Sequence, residues 1–373
     1  MHILLTVNAA WNILNFRRPL VEALQADGHR LTVLAPPDDA VEALRDLGCG
    51  FVPLEMDVKG LSPHRDLALV RRLRRHFRAL APDAILSFTI KNNIYGALAA
   101  RGTGTPFIPN VTGLGTAFLS SGVLQRVAEA LYRTAFRPLP VVFFQNADDR
   151  DLFLDRRLVR SEQARLLPGS GIDLDRFDAT PLPGGEQVRF LMIARLLRDK
   201  GVMEYVEAAR MLHAEGAPAR FQLLGPLGAQ NRTAISRETV AGWEREGIID
   251  YLGESTDVRR EIADADCVVL PSYYREGVPR SLLEASASCR PIITTDNVGC
   301  RDVVEDDRTG FLCEVRSPSS LADACRRMIA AGSAGRKAMG EAGRAKMLRE
   351  FDQRFVVDAY RQALGGLTPF DAA

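Results

Sequence analysis

Two cations and two carboxylates lie where apolar strand-like runs give way to helical patterns, and their types suit a phosphorylated sugar. After the run Arg189–Ile193 come Ala194-Arg195-Leu196-Leu197-Arg198-Asp199-Lys200-Gly201, followed by a helical stretch. A pyrophosphate placed there meets the positive end of the helix and its free N–H groups, and Arg195 and Lys200 add charge-assisted hydrogen bonds. An arginine and a lysine in a loop also occur as plain solvated charges, and spacing alone leaves both readings open. Farther on, the run from Pro271 to Ala285 sets Glu276 and Glu284 around a second strand-to-helix turn, seven residues between them. Pro279 presets φ at the first helical turn and Gly277 admits close backbone approach. Glu276 then falls in the turn and Glu284 about 1.5 turns into the helix. Carboxylates so placed accept from sugar and ribose hydroxyls, and the turn's N–H groups suit phosphate; a capping and a surface glutamate are the alternative.

The elements that must hold these residues follow from hydrophobic periodicity. Short β-rich apolar runs alternate with 3.6-period segments, the pattern of parallel sheets flanked by helices. Strands are expected near Ile3–Val7, Leu31–Ala35, Phe51–Pro53, Ala84–Phe88, Phe107–Asn110, Val141–Gln145 and Arg165–Leu167. A second series is expected near Arg189–Ile193, Phe221–Leu224, Ile249–Leu252, Cys267–Leu270, Ile292–Thr294 and Gly310–Leu312. Helix breakers are densest in Pro168–Asp173 and Pro181–Gly185, so the domains divide there. The expected organisation is α/β: a Rossmann-like domain over 1–175, a second over 176–351, a C-terminal helix over 352–366 and a tail over 367–373. At 373 residues the chain can bury two cores. Such sheets bind ligands beyond the carboxyl ends of their strands, and with two of them the cleft between is the default site.

Composition narrows the function classes. Apolar residues are 46% and charged residues 25%, with a net charge of +1, so the chain is an ordinary globular protein and no nucleic-acid partner is expected. Residues 59–137 nevertheless hold 12 basic and 3 acidic side chains, a field that suits phosphate groups or an anionic membrane surface unless it is a solvated helix face. The six cysteines form no CxxC pair and no zinc-ligand spacing, and read as buried thiols. The opening MHILLTVNAAWN lacks a charged n-region before an apolar run, and no apolar stretch nears 18 residues, so neither secretion nor a membrane span is expected. Asp149/Asp151 open a helix and Asp264/Asp266 precede a strand, so these Asp-x-Asp pairs read as structural and no metal site is expected.

Taken together, Arg195, Lys200, Glu276 and Glu284, with Gly225-Pro226, Leu270-Pro271-Ser272, Gly299 and Thr309-Gly310, resemble the retaining family-4 glycosyltransferases of the GT-B fold. The resemblance covers nearly the whole chain. It implies two doubly wound Rossmann-like domains facing an interdomain cleft, a UDP-sugar donor substrate and no cofactor. Arg195 and Lys200 would meet the donor diphosphate, Glu284 the ribose and Glu276 the donor sugar. Gly277, Val278, Ser281, Gly225 and Gly299 would complete the donor site. A nucleotide-sugar 2-epimerase or hydrolase on the same scaffold, or a non-catalytic two-lobed binding protein, are the competing readings.

In the first half, Asn15-Phe16-Arg17, Phe88-Thr89-Ile90-Lys91 and Asn110-Val111-Thr112-Gly113-Leu114-Gly115 resemble the branch that extends polyprenyl-diphosphate-linked glycans. This implies Asn15, Arg17, Lys91, Asn92, Thr112 and Gly113 on the acceptor, an N-acetylhexosamine as the sugar, and a peripheral place on the inner leaflet of the cytoplasmic membrane. Two departures stand out: Ala9-Ala10 where many members have glycines, and no histidine after the fifth strand. The family is generally described as letting the leaving phosphate take the acceptor proton, which does without that histidine. The helix Leu67–Leu80 carries an apolar stripe with arginines around it, suited to a sheet or a membrane, and Phe118 to Arg126 is the better membrane-dipping candidate.

Overall fold

The computed structural model describes residues 1–58, 62–114, 123–228 and 231–367, with the side chains of residues 123 and 124 undescribed. The membrane-dipping candidate from Phe118 through Leu124, the loop residues Gly115 and Thr116, and most of the tail lie outside the described residues or side chains.

The chain forms two compact units, Met1–Gly171 with Gln353–Ala373, and Ile172–Asp352. The units therefore divide at Gly171/Ile172 rather than after residue 175. The C-terminal helix Gln353–Gly365 is part of the first unit because its apolar side chains lie in that unit's core.

In the first unit a seven-stranded parallel sheet is built from β1 (His2–Thr6), β2 (Arg30–Ala35), β3 (Gly50–Pro53), β4 (Ala84–Phe88), β5 (Phe107–Val111), β6 (Val142–Phe144) and β7 (Ala164–Leu166). Their spatial order is β3-β2-β1-β4-β5-β6-β7. The second unit holds β8 (Val188–Ile193), β9 (Ala219–Leu224), β10 (Asp250–Tyr251), β11 (Cys267–Leu270), β12 (Ile292–Thr295) and β13 (Gly310–Cys313), in the order β10-β9-β8-β11-β12-β13. Both are doubly wound sheets, and in each the direction of winding reverses beside the first strand, between β1 and β4 and between β8 and β11. The inner strands, buried on both faces, read as continuous apolar runs, whereas β3, β7 and β10 at the sheet edges are exposed or half-buried.

The helix Pro63–Leu80 shows how one sequence pattern is used twice. Pro63 occupies its first turn, and Leu69, Leu73 and Phe77, four residues apart, are buried in one core cluster with Ile85 and Phe107. Each such burial contributes about 1.5–3 kcal/mol, so the stripe belongs to the unit's own core and its membrane reading is set aside. Arg71, Arg75 and Arg78 remain exposed on the far side. Five of the six cysteines are buried and none is bridged.

The acidic pairs hold local structure. Asp266 accepts the backbone N–H of Arg189 at 3.0 Å, tying the start of β8 to β11. At the helix Ala147–Asp155 the cap is Asn146, not an aspartate: its side chain accepts the Asp149 N–H at 2.7 Å and its amide donates to the Asp149 carboxylate at 3.2 Å.

Candidate functional site

The carboxyl edge of the second sheet gathers most of the residues expected to do chemistry. Beyond β8 the chain makes a single 3₁₀ turn, Arg198–Lys200, and reaches Gly201 before the helix Val202–Ala214. Gly201 has a left-handed φ of 80°, and a Cβ there would lie 2.1 Å from the Pro271 carbonyl oxygen, so only glycine lets the loops after β8 and β11 touch. The contact is sewn by the Asp199 carbonyl, which accepts from Tyr273 N at 3.1 Å and Tyr274 N at 3.0 Å.

This touching of loops brings Lys200 onto Glu276. The two form an ion pair with side chains 14% and 11% exposed, and Ser272 Oγ donates to the same Glu276 oxygen at 2.9 Å. The Lys200 ammonium also stands 5.4 Å from the centre of the Tyr274 ring. Burial beside Glu276 pushes the Tyr274 phenol up, and the Arg195 charge opposes that. Arg195 itself is exposed, two residues past β8.

Two further close approaches frame the pair. Gly225, after β9, backs onto the Ala194 carbonyl, where a Cβ would sit 1.9 Å away. Gly299, after β12, backs onto the Gly277 carbonyl, where a Cβ would sit 1.8 Å away. Asn297 Nδ2 donates to the Tyr274 carbonyl at 2.9 Å, fixing the segment that carries Glu276. Gly277 and Val278 are buried, and Ser281 is half-buried in the first turn of the helix Arg280–Ala287, with Pro279 just before it.

Glu284 takes a different partner. It pairs with Arg280, one helical turn back, at 2.7 Å, with side chains 13% and 15% exposed. Burial pushes the Glu284 carboxyl above the usual glutamate range, and the Arg280 guanidinium draws it part of the way back. The sequence reading missed Arg280, although its spacing from Glu284 announces an i,i+4 pair. It also passed over Tyr274 and Asn297, which the rule of looking just past each strand would have found.

At the carboxyl edge of the first sheet, Thr89 ends β4 with φ 72°, an unusual conformation for a β-branched residue, and starts the helix Ile90–Ala100. That turn aims Lys91 at Asp66, 3.0 Å away, and at the Asp57 carbonyl, 2.9 Å away, while Tyr95 donates to the other Asp66 oxygen at 2.9 Å. Asn92 is fully enclosed, donating to Thr6 Oγ1 at 2.9 Å and accepting from Thr89 Oγ1 at 3.1 Å. Arg17 is 3% exposed, its guanidinium 4.7 Å over the Phe88 ring. Asn15, Thr112 and Gly113 are half-buried, Asn15 on the helix Ala10–Phe16 and the other two just past β5. The structure thus groups Lys91 and Asn92 on one helical turn after β4, and leaves Asn15 and Arg17 at the end of the helix after β1 and Thr112 and Gly113 on the loop after β5.

Two family models match the chain, one in each unit. Residues 187–331 match the model described as Glycosyl transferases group 1, and residues 15–169 the model described as Glycosyl transferase 4-like domain. Over 333 residues the chain is 28% identical to the N,N'-diacetylbacillosaminyl-diphospho-undecaprenol alpha-1,3-N-acetylgalactosaminyltransferase of Campylobacter jejuni, covering 85% of this chain and 86% of that protein. It is 24% identical to the UDP-Gal:alpha-D-GlcNAc-diphosphoundecaprenol alpha-1,3-galactosyltransferase of Escherichia coli, over 78% of this chain and 76% of that one. In solved structures, Anabaena HepE in complex with UDP superposes with a TM-score of 0.77 at 17% identity, over 98% of this chain and 100% of that one. A glycosyltransferase from Rickettsia africae does so with a TM-score of 0.79 at 17% identity, over 97% of each chain. At these identities the structural likeness is one of fold.

Proposed function

The chain belongs to the family-4 glycosyltransferases of the GT-B fold, and from that premise we propose a retaining, metal-independent enzyme with a polyprenyl-diphosphate-linked glycan as acceptor. Its donor is a UDP-linked N-acetylhexosamine, and its product enters surface polysaccharide or a glycoprotein glycan. The observation that carries the reading is the enclosed Lys200–Glu276 pair at the β8/β11 switch point, held by loops that glycines allow to touch. The names of the two relatives with diphospho-undecaprenol acceptors support the choice of acceptor.

The chemistry follows from charge. A donor diphosphate competes with Glu276 for Lys200, and Arg195 supplies a second cation from the loop after β8. Glu276, released, accepts from the donor sugar, Glu284 from the ribose, and the N–H groups of Gly277 and Val278 with the Ser281 hydroxyl meet the distal phosphate. The bond from the anomeric carbon to the diphosphate oxygen breaks, and its electron pair leaves on the diphosphate. The acceptor hydroxyl oxygen bonds to the anomeric carbon on the same face, and its proton passes to the departing diphosphate. Negative charge on the leaving group is greatest in the transition state, so Lys200 and Arg195 accelerate the step more than they tighten binding. These cations meet the charge that a divalent metal meets in other transferases.

In the first unit, Asn15, Thr112 and Gly113 remain within reach of an acceptor, while Arg17, Asn92 and Lys91, the last engaged by Asp66 and the Asp57 carbonyl, shape the loops that present them. Among the described residues no helix is long and apolar enough to cross a membrane. Attachment to the inner leaflet is then peripheral, through the basic field of this unit.

The test is a screen of nucleotide sugars for release of free nucleoside diphosphate, with and without a short-chain polyprenyl-diphosphate sugar, and with and without chelator. Release from one UDP-sugar only when the lipid is present, within twofold in chelator, is the expected result. Release indifferent to the lipid overturns the acceptor assignment, and complete loss in chelator restored by Mg²⁺ overturns the metal-free mechanism.

A further inference from the structure

The basic field of the first unit has a focus away from the catalytic edge. A cavity of about 630 Å³ opens at the amino edge of the sheet, between the segments that lead into β5 and β6. Ala97, Ala100, Phe107 and Leu139 line it and are all buried, giving an apolar floor. Arg101, Arg133 and Arg137 line it too, all three exposed. Among the described residues no aspartate or glutamate lines the cavity, and Arg101 and Arg133 bond to backbone carbonyls. Arg101 donates to the Thr134 carbonyl, and Arg133 to the carbonyls of Arg156 at 3.0 Å and Arg157 at 3.4 Å. Carbonyl acceptors orient a guanidinium without cancelling its charge, so the three form an uncompensated positive rim.

An apolar floor under a cationic rim is complementary to an amphiphile whose head is a phosphate and whose next atoms are hydrocarbon. We infer that this cavity binds the head group and first acyl carbons of an anionic membrane phospholipid. The free phosphate ion satisfies the rim alone and leaves the floor without a partner; a lipid fills both. The assignment rests on the peripheral membrane reading above and deepens it by naming where the bilayer is met. The cavity lies roughly 15 Å, the length of β5, from the carboxyl edge that carries Lys91 and Thr112, so lipid there does not occupy the acceptor loops.

The test uses the full chain and vesicles of phosphatidylcholine with or without phosphatidylglycerol. Arg101→Glu with Arg137→Glu is compared with Arg71→Glu with Arg75→Glu, an equal charge change on exposed positions of the helix Pro63–Leu80. The expected result is a loss of partitioning of about tenfold or more for the cavity variant, and of less than about threefold for the helix variant. Equal losses would mean diffuse attraction and overturn the cavity. A second arm measures thermal stabilisation by dihexanoyl-phosphatidylglycerol below its micelle threshold and by glycerol phosphate. Stabilisation by the lipid alone, abolished in the cavity variant, supports the assignment; an equal response to both identifies a phosphate site and overturns it. Both variants are expected to keep the native rate of nucleotide release on a soluble short-chain acceptor, so loss of vesicle binding is read separately from loss of transfer. Should the native chain transfer sugar yet ignore phosphatidylglycerol vesicles, the cavity assignment fails and the transferase reading stands.

Discussion

The two units share one strand order and differ in what they do with a lysine at the switch point. In the second, Lys200 pairs with the Glu276 carboxylate, which also accepts from the Ser272 hydroxyl. In the first, Lys91 is held by the Asp66 carboxylate and the Asp57 carbonyl, and Asp66 is bound again by Tyr95. Burial and the bond to Asp66 push the Tyr95 phenol well up, so it stays a donor across ordinary pH. An incoming phosphate competes with the Glu276 carboxylate at Lys200, and with a carboxylate and a backbone carbonyl together at Lys91. The same topology thus supports a cation kept ready for an anion and a cation committed to the frame, and the difference lies in the partners rather than in the sheet.

The sharpest way to break this comparison is Lys200→Ala, for which transfer should fall by about 10²–10³; the enclosed Glu276 carboxylate left behind costs stability as well, so the rate is read well below the unfolding midpoint. A near-native rate would remove Lys200 from the diphosphate. Lys91→Ala should instead leave the rate per folded chain within a few-fold of native. It strands the buried Asp66 carboxylate and is expected to cost roughly 3–5 kcal/mol in urea unfolding, with Asp66→Asn added to it recovering most of that. A Lys91→Ala chain with native stability but no transfer would make Lys91 a ligand-binding residue like Lys200.

The smallest effect concerns Glu284. Its folded-state carboxyl holds the proton to higher pH than the unfolded chain does, because burial disfavours the charge. Its contribution to stability is therefore complete at acid pH and is lost as pH rises through the raised value. Glu284→Gln should flatten that part of the stability profile, and superimposable profiles for the two proteins would refute it.

Much of this was legible in the residue order, for identifiable reasons. Strands buried on both faces show themselves as apolar runs, so each was found within a few residues. β6 and β10 each fall two residues short, and β10 pairs only over Asp250 and Tyr251 at the sheet edge although Ile249–Leu252 reads as a strand. The switch-point rule drew attention to Lys200 and Glu276 separately. Their contact was not legible, because it depends on Gly201 lying against Pro271, two segments about seventy residues apart brought together by crossover geometry. The placement of the C-terminal helix was hidden for the same reason. The bond from Asn110 Nδ2 to Tyr360 Oη, at 2.9 Å, joins residues that no periodicity relates.

That bond belongs to a larger closure. Tyr360 lies 4.7 Å from the Phe143 ring and 6.4 Å from the Phe88 ring, and Val356 and Leu364 lie in the same cluster. Arg361 grips Asp27 through two bonds of 2.7 and 2.9 Å. A ribosome delivers the first 171 residues long before this helix, so the first unit leaves the exit tunnel with the part of its sheet around Phe88 and Phe143 uncovered. The second unit, continuous from Ile172 to Asp352, has all its own chain in hand before the first can finish. Order of synthesis and order of completion are therefore reversed, and the newborn chain carries an open apolar patch until the helix Gln353–Gly365 arrives.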